Sequence, residues 1–554
     1  MNNQFDFSRR EFLSFLGGSA AALATPAIGF SAPSLGETPP LEPATPRSTI
    51  KSLPASTVDD LVLADGIRSS ILIRYGDVIN AAGERFGFNN DFIAFFPLHK
   101  DEALLWVNHE SPQGGLMHGN PGVLLGGTPK TAEQVREEQL AVGGSIIRIL
   151  RDSKTGEWRF GGNHALNRRI SGLTKIPFAR GVSIAGASVA TGTLANCAGG
   201  VTPWGTALTC EENYQEFYGE LKGPGGPSWE KQVKMPDHHH GWTEHAKMHP
   251  WHYGWVVEIN PRTGRAQKLV AMGRASREGA TVTLAKDGRA VVYSGDDFRG
   301  GCIFKFVSDK PRDLTRGTLY AADVGKGRWI ELSWSKNPLL RKRFKDQLDV
   351  LLHARDAGLE AGATAMDRPE DVEIHPLTRS VFVALTNNPD RGNQHGSLLR
   401  IDEADGNPLA LEFNSSTFLA GGQESGFSCP DNLAFARGGD LLFTTDVSYG
   451  KLNRGEYQGF GNNSLFLVPS SGPDAGRAIR LASGPIDSEL TGPCFSSDQR
   501  TLFLSVQHPG EGSKVVDGKL TFTSAWPSRE TGGKPCPALV ALHNLPLAGA
   551  SARS

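Results

Sequence analysis

One pattern recurs six times along this 554-residue chain. It consists of a polar cluster, a short strand, a tight turn, and a strongly apolar strand that ends in polar or acidic residues. Turn residues such as Asp287-Gly288 and Gly438-Gly439 are typical of hairpin loops. A hairpin brings its two ends to the same edge of a sheet. The polar cluster before the first strand and the acidic residues after the second strand should therefore lie together at that edge. The six apolar strands span residues 103–110, 206–212, 290–297, 380–388, 440–446 and 501–508.

An all-β fold, a six-bladed β-propeller with helical insertions, accounts for this repetition. The strands recur at intervals of roughly 60 to 100 residues, enough for a four-stranded blade and its loops. A Greek-key sandwich also contains many short strands, but it does not explain six polar clusters at one edge. The propeller places those clusters around one mouth of a central channel. Helical insertions are predicted near 131–141, after a capping box that starts at Thr131, and near 338–357.

The first residues predict a targeting segment rather than part of the fold. Ser8-Arg9-Arg10 precedes a weakly apolar run that ends at Phe30, which is typical of a twin-arginine signal peptide over residues 1–32. The run is too short for a stable membrane span. Residues 33–58 are predicted as a linker and 59–548 as the propeller. We therefore expect the twin-arginine machinery to export the protein, as a monomer, to the periplasm or beyond.

Composition and the missing motifs exclude several function classes. A net charge of -2 gives no reason to expect nucleic acid as a partner. None of the six cysteines forms a CxxC pair, which argues against a zinc ribbon, although disulfides are allowed in the periplasm. No dinucleotide, Walker or GxSxG loop occurs in a matching context. The histidine-rich stretch 238–252 fits a surface loop better than a metal site because Pro, Gly and Lys accompany it.

Carboxylates dominate the residues predicted at the channel mouth. So many like charges would repel one another unless cations lay between them. Oxygen ligands suit calcium, whereas a thiolate points to a transition metal as well. A single acid at a strand end is usually a turn or cap residue, so recurrence carries the metal hypothesis. The predicted mouth residues are Asp91, Glu110, Cys197, Glu211, Glu212, Glu278, Asp296, Asp297, Glu370, Asp371, Asp431 and Asp446, with Arg277 and Arg368.

Two of these residues need a separate argument. Cys197 occupies the same place in its repeat as Glu278 and Glu370, so it is preferred as a ligand to Cys210, a buried thiol or disulfide partner. Arg368 and Glu370 could form a simple ion pair. Because Pro369 fixes the backbone between them and the channel is acidic, the Arg368 guanidinium is instead predicted to hold a phosphate or carboxylate.

The chain resembles the PhoX-type alkaline phosphatases at nine spaced motifs that extend to about residue 511. The motifs are Phe88-Asn89-Asn90-Asp91, Asn108-His109-Glu110, the run 196–205, Thr209-Cys210-Glu211-Glu212-Asn213, the run 253–261, Arg277-Glu278-Gly279, Gly295-Asp296-Asp297, Arg368-Pro369-Glu370-Asp371 and Gln507-His508-Pro509-Gly510-Glu511.

The resemblance implies a six-bladed propeller with two irons and three calciums that hydrolyses phosphate monoesters in the periplasm. It places Cys197, Glu278, Asp297 and Glu370 on iron or shared iron and calcium sites. It makes Glu110 and Glu211 calcium-side candidates, adds Glu212 and Asp91 to the metal ligands, and assigns Arg368 to the substrate phosphate.

Two departures and two rival functions accompany this hypothesis. Arg277 stands where a His-Glu-Gly run is expected, so it is a second candidate for substrate binding. Cys429-Pro430-Asp431-Asn432 replaces a Ser or Ala followed by Pro-Asp-Gly. The enzyme rival is a calcium-only propeller hydrolase that acts on phosphotriesters or lactones. The other rival is a propeller that binds a partner without chemistry.

Overall fold

The structure is a computed structural model that describes residues 49–124, 128–220 and 240–547. Six antiparallel sheets form a ring in which the innermost strand of each sheet contacts the innermost strands of its two neighbours. The protein is therefore a six-bladed β-propeller, as predicted, and not a sandwich. The predicted signal peptide lies outside the described residues. Every helix that the described residues form is too short or too polar to cross a membrane.

The first three blades follow the chain, each with its strands ordered from the channel outward. Blade 1 contains Asn90–His99, Glu102–His109, Gly143–Arg151 and Trp158–Phe160, with Arg168–Ile170 also paired to the third strand. Blade 2 contains Asn196–Val201, Ala207–Glu211, Val256–Ile259 and Ala266–Lys268. Blade 3 contains Arg277–Leu284, Arg289–Asp296, Phe304–Pro311, Asp313–Asp323 and Arg328–Glu331.

The last three blades include two segments from the start of the chain. Blade 4 contains Pro369–Ile374, Val381–Leu385, Ser397–Glu403 and Phe413–Ala420. Blade 5 contains Pro430–Phe435, Leu441–Thr445, Ser464–Val468, Ile479–Ser483 and the short Val62–Leu63. Blade 6 contains Glu489–Phe495, Thr501–Gln507, Ala538–His543 and, as its outermost strand, Arg68–Arg74.

The ring closes through Arg68–Arg74, which pairs with Ala538–His543 from the other end of the chain. Each blade is covered on both faces by its neighbours, so the second strands are buried along almost their whole length. All five residues of Val381–Leu385 are buried, for example. One apolar cluster joins blades 3 and 4 through Tyr293 and Val383. The core thus lies between blades, and polar residues concentrate at the strand ends.

The first strand of every blade contains a bulge near the channel mouth. Its pairing with the second strand skips between residues three apart, as between Asn90 and Ile93. Bulges redirect side chains and are common beside functional sites. The unpaired residues are 91–92, 197–198, 279–280, 370–371, 431–432 and 492–493.

The backbone conformation at the start of each first strand follows one pattern in blades 1, 2 and 3 and repeats it in blades 4, 5 and 6. In blades 1, 2, 4 and 5 the residue before the first strand has a positive φ, and its carbonyl accepts the N–H of the residue that follows the second strand. These pairs are Asn89 with Glu110, Ala195 with Glu212, Arg368 with Thr386, and Cys429 with Asp446. Blades 3 and 6 instead have a glycine of positive φ inside the bulge, Gly279 and Gly492.

Insertions between strands and between blades supply the remaining elements. The helices are Gly114–His118, Pro121–Leu124, Ala132–Ala141, Gln215–Tyr218, Pro338–Arg343, Gln347–Leu352 and Ala354–Ala361. Short 3-10 turns are Ala179–Gly181, Trp242–Glu244, Pro250–His252, Val270–Met272, Pro389–Arg391, Ala404–Gly406 and Gly455–Tyr457. Two-stranded ribbons are Lys175–Pro177 with Val189–Thr191, Arg299–Gly301 with Met366–Asp367, and Lys514–Val516 with Lys519–Thr521.

The structure differs from the sequence prediction in one helical insertion and in the segment before the propeller. The single helix predicted over 338–357 is three helices, because Phe344 leaves the helical conformation and Asp346 caps a new helix by accepting the N–H of Asp349. Residues 49–58, predicted within the linker, lie along blade 5. Leu53 donates its N–H to the carbonyl of Arg480, and Val58 accepts a hydrogen bond from the Asn462 side chain.

Candidate metal centre

Two groups of three ligands lie at the channel mouth and share one residue. Cys197, Glu212 and Glu278 each offer an atom within 4.8 Å of the others, and so do Glu278, Glu370 and Asp431. All five side chains are buried. Their atoms come from blades 2, 3, 4 and 5, so the ring itself brings them together. Within the first group, the Cys197 Sγ lies 3.0 Å from the Glu278 Oε1.

The bulges explain which side chains reach this centre. Cys197 and Glu370 occupy equivalent bulge positions, together with Asp91 and Asp431. Glu278 is not equivalent to them, contrary to the prediction, because it lies one residue earlier. Gly279 takes the bulge position in blade 3 with a φ of 72°, and a Cβ there would lie 2.6 Å from the Asp371 Oδ1. The structure therefore delivers Glu278 by a different local geometry.

Arg368 is held in the mouth by two acidic partners. Its Nε and Nη2 donate to both carboxylate oxygens of Asp297, each at 2.8 Å, and Nη2 also lies 2.6 Å from the Glu370 Oε1. The side chain is 23% exposed, whereas those of Asp297 and Glu370 are 5% and 2% exposed. Asp446 lies farther away, 3.9 Å from Nη1. Bidentate pairing fixes the plane of the guanidinium and leaves part of it open to the channel.

The electrostatics of the centre favour cations. Burial and then the charge of Glu370 raise the pKa of Glu278 well above its usual value. Burial and then Asp297 do the same for Glu212. Burial, Asp91 and Glu278 raise the pKa of the Cys197 thiol. A bound cation reverses this logic, because it stabilises thiolate and carboxylate together.

Buried oxygen atoms without hydrogen-bond donors give independent support for metal ligands. Within the described part of the chain, the Asp91 Oδ1 and the Glu370 Oε2 lack a partner, although Asp91 is 1% exposed and Glu370 is 2% exposed. A buried carboxylate oxygen without a donor is costly unless a cation satisfies it. Burial also raises the pKa of Asp91, to about 7, and that of Asp431, to about 8. The donor set thus fits metal ions.

A second acidic group surrounds His508, and of its members only Glu110 was predicted as a ligand. Its Nε2 lies 3.4 Å from the Glu489 Oε1 and its Nδ1 lies 3.4 Å from the Glu511 Oε2. Burial opposes a charge on His508, but Glu511 and Glu110 outweigh it and raise the pKa of His508. The Glu110 Oε2 accepts a hydrogen bond of 2.6 Å from Gln507. The motif 507–511 was the available signal, and the repeat pattern did not identify Glu489.

The structure does not bring Glu211 to the centre, so the calcium-side prediction for it was wrong. Its Oε1 accepts a hydrogen bond of 2.6 Å from Lys268, and its Oε2 accepts the N–H of Trp255 at 3.0 Å. Both oxygens are satisfied inside blade 2. Glu212, one residue later, faces the channel because adjacent residues of a strand point to opposite sides.

Arg277 was also placed wrongly. Its guanidinium donates to Ser294 and to the backbone carbonyl of Met272, and lies over the ring of Phe304 at 4.4 Å. The residue is 1% exposed. The side chain therefore packs within blade 3 and cannot contact a substrate in the channel.

The cysteines form no disulfide. All six lie in the described residues and are free thiols. Cys210 donates to the carbonyl of Gly279 at 3.4 Å, which settles the alternative for this residue in favour of a buried thiol. Cys197 is the only cysteine of the described chain that belongs to a group of potential metal ligands.

Comparisons with known proteins agree with this geometry. Residues 48–510 match the family model for alkaline phosphatase PhoX. Pseudomonas fluorescens PhoX, solved in complex with vanadate, a transition state analogue, is 31% identical with a TM-score of 0.79. The match covers 89% of this chain and 98% of that one. A comparison with curated proteins found no match.

Two other solved structures are much less similar. A protein of unknown function from Dyadobacter fermentans is 11% identical with a TM-score of 0.39, over 87% of this chain and 100% of that one. A gluconolactonase from Xanthomonas campestris is 11% identical with a TM-score of 0.33, over 91% and 99%. Neither similarity is high enough to indicate a function.

The family model and the Pseudomonas fluorescens structure show that the chain belongs to the PhoX alkaline phosphatase family and is a phosphomonoesterase.

Proposed function

We propose that the channel mouth is a mixed iron and calcium centre at which Arg368 holds the phosphate of a monoester substrate. The observation that carries the proposal is the adjacency of three features. These are the thiol-containing ligand group, the carboxylate group that shares Glu278 with it, and the clamped arginine. The counts of two irons and three calciums rest on the family resemblance.

Ligand chemistry supports a division between the two metals. Cys197, Glu212 and Glu278 combine sulfur with oxygen, which suits a transition metal. Glu370 and Asp431 share Glu278 with that group, so neighbouring ions would be bridged. Asp91 and Glu110 extend the site with oxygen ligands only, which suits calcium. Asp297, which the resemblance places on an iron or a shared site, also pairs with Arg368 through both of its oxygens.

The bound ions would polarise the phosphoryl oxygens and supply the nucleophile. The protein itself orients the ester. Asp297 and Glu370 fix the guanidinium of Arg368, and its partly exposed edge can donate to the phosphate oxygens as their charge grows. Cys197 is buried among carboxylates, so its place is that of a ligand and not of a nucleophile.

Conservative substitution of Arg368 tests this role. Arg368→Lys keeps the charge but loses the planar fork, and we expect kcat/KM for an aryl phosphate ester to fall by about 100-fold or more. Inhibition by vanadate should weaken in parallel. Arg437→Lys, which changes a surface arginine bonded to the carbonyl of Ser497, is the control and should match the wild type. Unchanged kinetics in Arg368→Lys would refute the clamp.

Export to the periplasm or beyond is a second proposal, and it rests on Arg9-Arg10 and the apolar run that follows. Replacing both arginines with lysine should retain the full-length precursor inside the cell. Fractionation with an antibody measures this, and normal export of the variant would contradict the proposal. We also propose that the exported enzyme is a monomer, which light scattering can test.

The calcium-only hydrolase remains the rival for the metal content. The thiol of Cys197 favours a site with iron as well as calcium, because calcium binds oxygen ligands and a thiolate suits a transition metal. Iron in the purified enzyme would exclude this rival. Calcium without iron in the fully active, purified enzyme would support it.

A further inference from the structure

The helical insertion of blade 3 carries a buried arginine to the back of the metal centre. Arg355 lies in the helix Ala354–Ala361 and is 7% exposed. Its Nε donates to the Asp296 Oδ2 at 2.6 Å, and its Nη2 donates to the other oxygen of Asp296 and, at 3.1 Å, to Ser276. The guanidinium lies 4.1 Å from the centre of the Phe298 ring.

Asp296 and Asp297 are adjacent, and each is gripped by a different arginine. The Asp296 carboxylate faces the insertion, where it also accepts the N–H groups of Ser276 at 3.1 Å and Cys302 at 3.3 Å. The Asp297 carboxylate faces the channel and holds Arg368 in a bidentate pair. Opposite directions for neighbouring residues follow from extended backbone. The two arginines thus pull on consecutive residues of one segment.

The backbone around this segment links both arginines to the same scaffold. The N–H of Asp297 donates to the carbonyl of Ser276 at 2.8 Å, and Ser276 is the residue whose side chain Arg355 contacts. The chain then continues into Arg299–Gly301, which pairs with Met366–Asp367 directly before Arg368. A shift of Asp296 would therefore move Asp297 and the backbone that precedes Arg368.

We propose that Arg355 is a positioning residue for phosphate binding, which acts through Asp296 and Ser276 to hold Asp297 against Arg368. The inference rests on the proposed role of Arg368. Asp296 is fully buried, and without the Arg355 guanidinium it would keep two N–H donors and the nearby charge of Arg277 but lose its bidentate ion-pair partner. A buried carboxylate that loses its partner must gain a proton or move. A displacement of about 1 Å at a substrate clamp is enough to lower catalysis by about 100-fold.

Kinetics of three variants test the proposal. Arg355→Gln should raise the KM for an aryl phosphate ester and the inhibition constants of phosphate and vanadate by about 10-fold or more, with unchanged iron and calcium content. Arg355→Lys retains a charge for Asp296 and should recover part of the affinity. Arg343→Gln is the control, because Arg343 pairs with Glu360 at 2.7 Å at the partly exposed surface of the same insertion. It should bind substrate as the wild type does.

A double variant keeps the test informative if Arg355→Gln folds poorly. Arg355→Gln with Asp296→Asn leaves no unpaired charge, so we expect recovered thermal stability but a KM that stays high. A purely structural role would instead lower stability, or the amount of active enzyme, with KM unchanged in both variants, and this would overturn the inference. If Arg368→Lys raises KM and the Arg355 variants do not, the positioning role of Arg355 is rejected and the role of Arg368 stands. If Arg368→Lys has no effect, the role of Arg368 in phosphate binding is rejected, and that of Arg355 with it.

Discussion

Among the described residues, Cys197 is the one cysteine in the two ligand groups of the mouth, and its neighbours determine what it can do. Burial and nearby carboxylates raise the pKa of its thiol, so the thiolate needs a cation for its stability. Glu278 lies 3.0 Å away and belongs to both ligand groups. At the scale of single residues, this sulfur is therefore the proposed ligand for a transition metal.

Removing the sulfur should change metal content more than fold. We expect Cys197→Ser to lose most of its iron, because a hydroxyl is a much poorer ligand than a thiolate for a soft or borderline metal. Activity should fall with the iron. Cys536→Ser, which changes a partly buried thiol outside the ligand groups, should keep both. Full iron content in Cys197→Ser, measured by elemental analysis, would remove Cys197 from the site.

A pH effect is predicted at His375, which lies outside the two ligand groups. Its Nδ1 accepts the N–H groups of Leu377 and Thr378, and burial lowers its pKa to about 4. The unfolded chain takes up the proton near pH 6.5, so between pH 6.5 and 4 it binds more protons than the folded chain. The free energy of unfolding must fall as pH falls through this window.

Substitution by asparagine isolates that effect. His375→Asn keeps an acceptor near the same N–H groups but does not titrate. The thermal midpoint of the wild type should drop more than that of the variant between pH 7 and pH 5. Equal drops in the two proteins would show that His375 does not contribute.

Residue identity was predictable from sequence more often than side-chain direction. The recurrence and the motifs identified Cys197 and Glu370, which the structure brings to the mouth. They failed for Glu211 and Arg277 because a shift of one residue at a strand end turns a side chain to the opposite face. Both Glu211 and Glu212 were predicted as ligands, and aligning Glu212 with Glu110, each of which follows a second strand, would have favoured Glu212.

At the scale of elements, the bulge in each first strand is what converts six ordinary hairpins into a site. Four blades place a side chain at the bulge position, and two place a glycine there. The sequence predicted the hairpins but not the bulges. A bulge depends on local backbone geometry and on contacts with the adjacent blade, such as Gly279 against Asp371, and neither has a strong local sequence signal.

Gly279→Ala tests this geometry. The added methyl group would lie 2.6 Å from the Asp371 Oδ1 in a left-handed conformation, so we expect a loss of about 2 kcal/mol or more in the free energy of unfolding. Glu278 should shift, and activity should fall at least tenfold. Gly518→Ala has a similar φ, 73°, but no atom within 4 Å of the new Cβ, so it should cost about 1 kcal/mol and retain activity. Denaturant unfolding and kinetics of both variants measure the difference.

At the scale of the whole molecule, the ring depends on its closure between the two ends of the chain. The strand Arg68–Arg74 completes blade 6 and pairs along its length with Ala538–His543. The six repeats predicted this architecture, but they did not predict that residues near the start of the propeller would supply its last strand. That assignment needs long-range pairing, which local patterns do not encode.

Truncation at the start of the chain should separate closure from surface packing. A chain that begins at residue 64 keeps the closing strand and should remain folded and active with a lower thermal midpoint. A chain that begins at residue 76 lacks that strand and should unfold or aggregate, because blade 6 then exposes an unpaired edge. A cooperative and active protein from the shorter chain would contradict this view of closure.

The central claim is that the channel mouth works as an iron and calcium centre, and metal analysis of the purified enzyme tests it most directly. Protein purified from the periplasm should contain about two irons and three calciums per chain, as the family resemblance implies. Chelation should remove the metals and abolish hydrolysis of a phosphate monoester, and restoring both metals should recover it. A metal-free protein with full phosphatase activity would contradict the account.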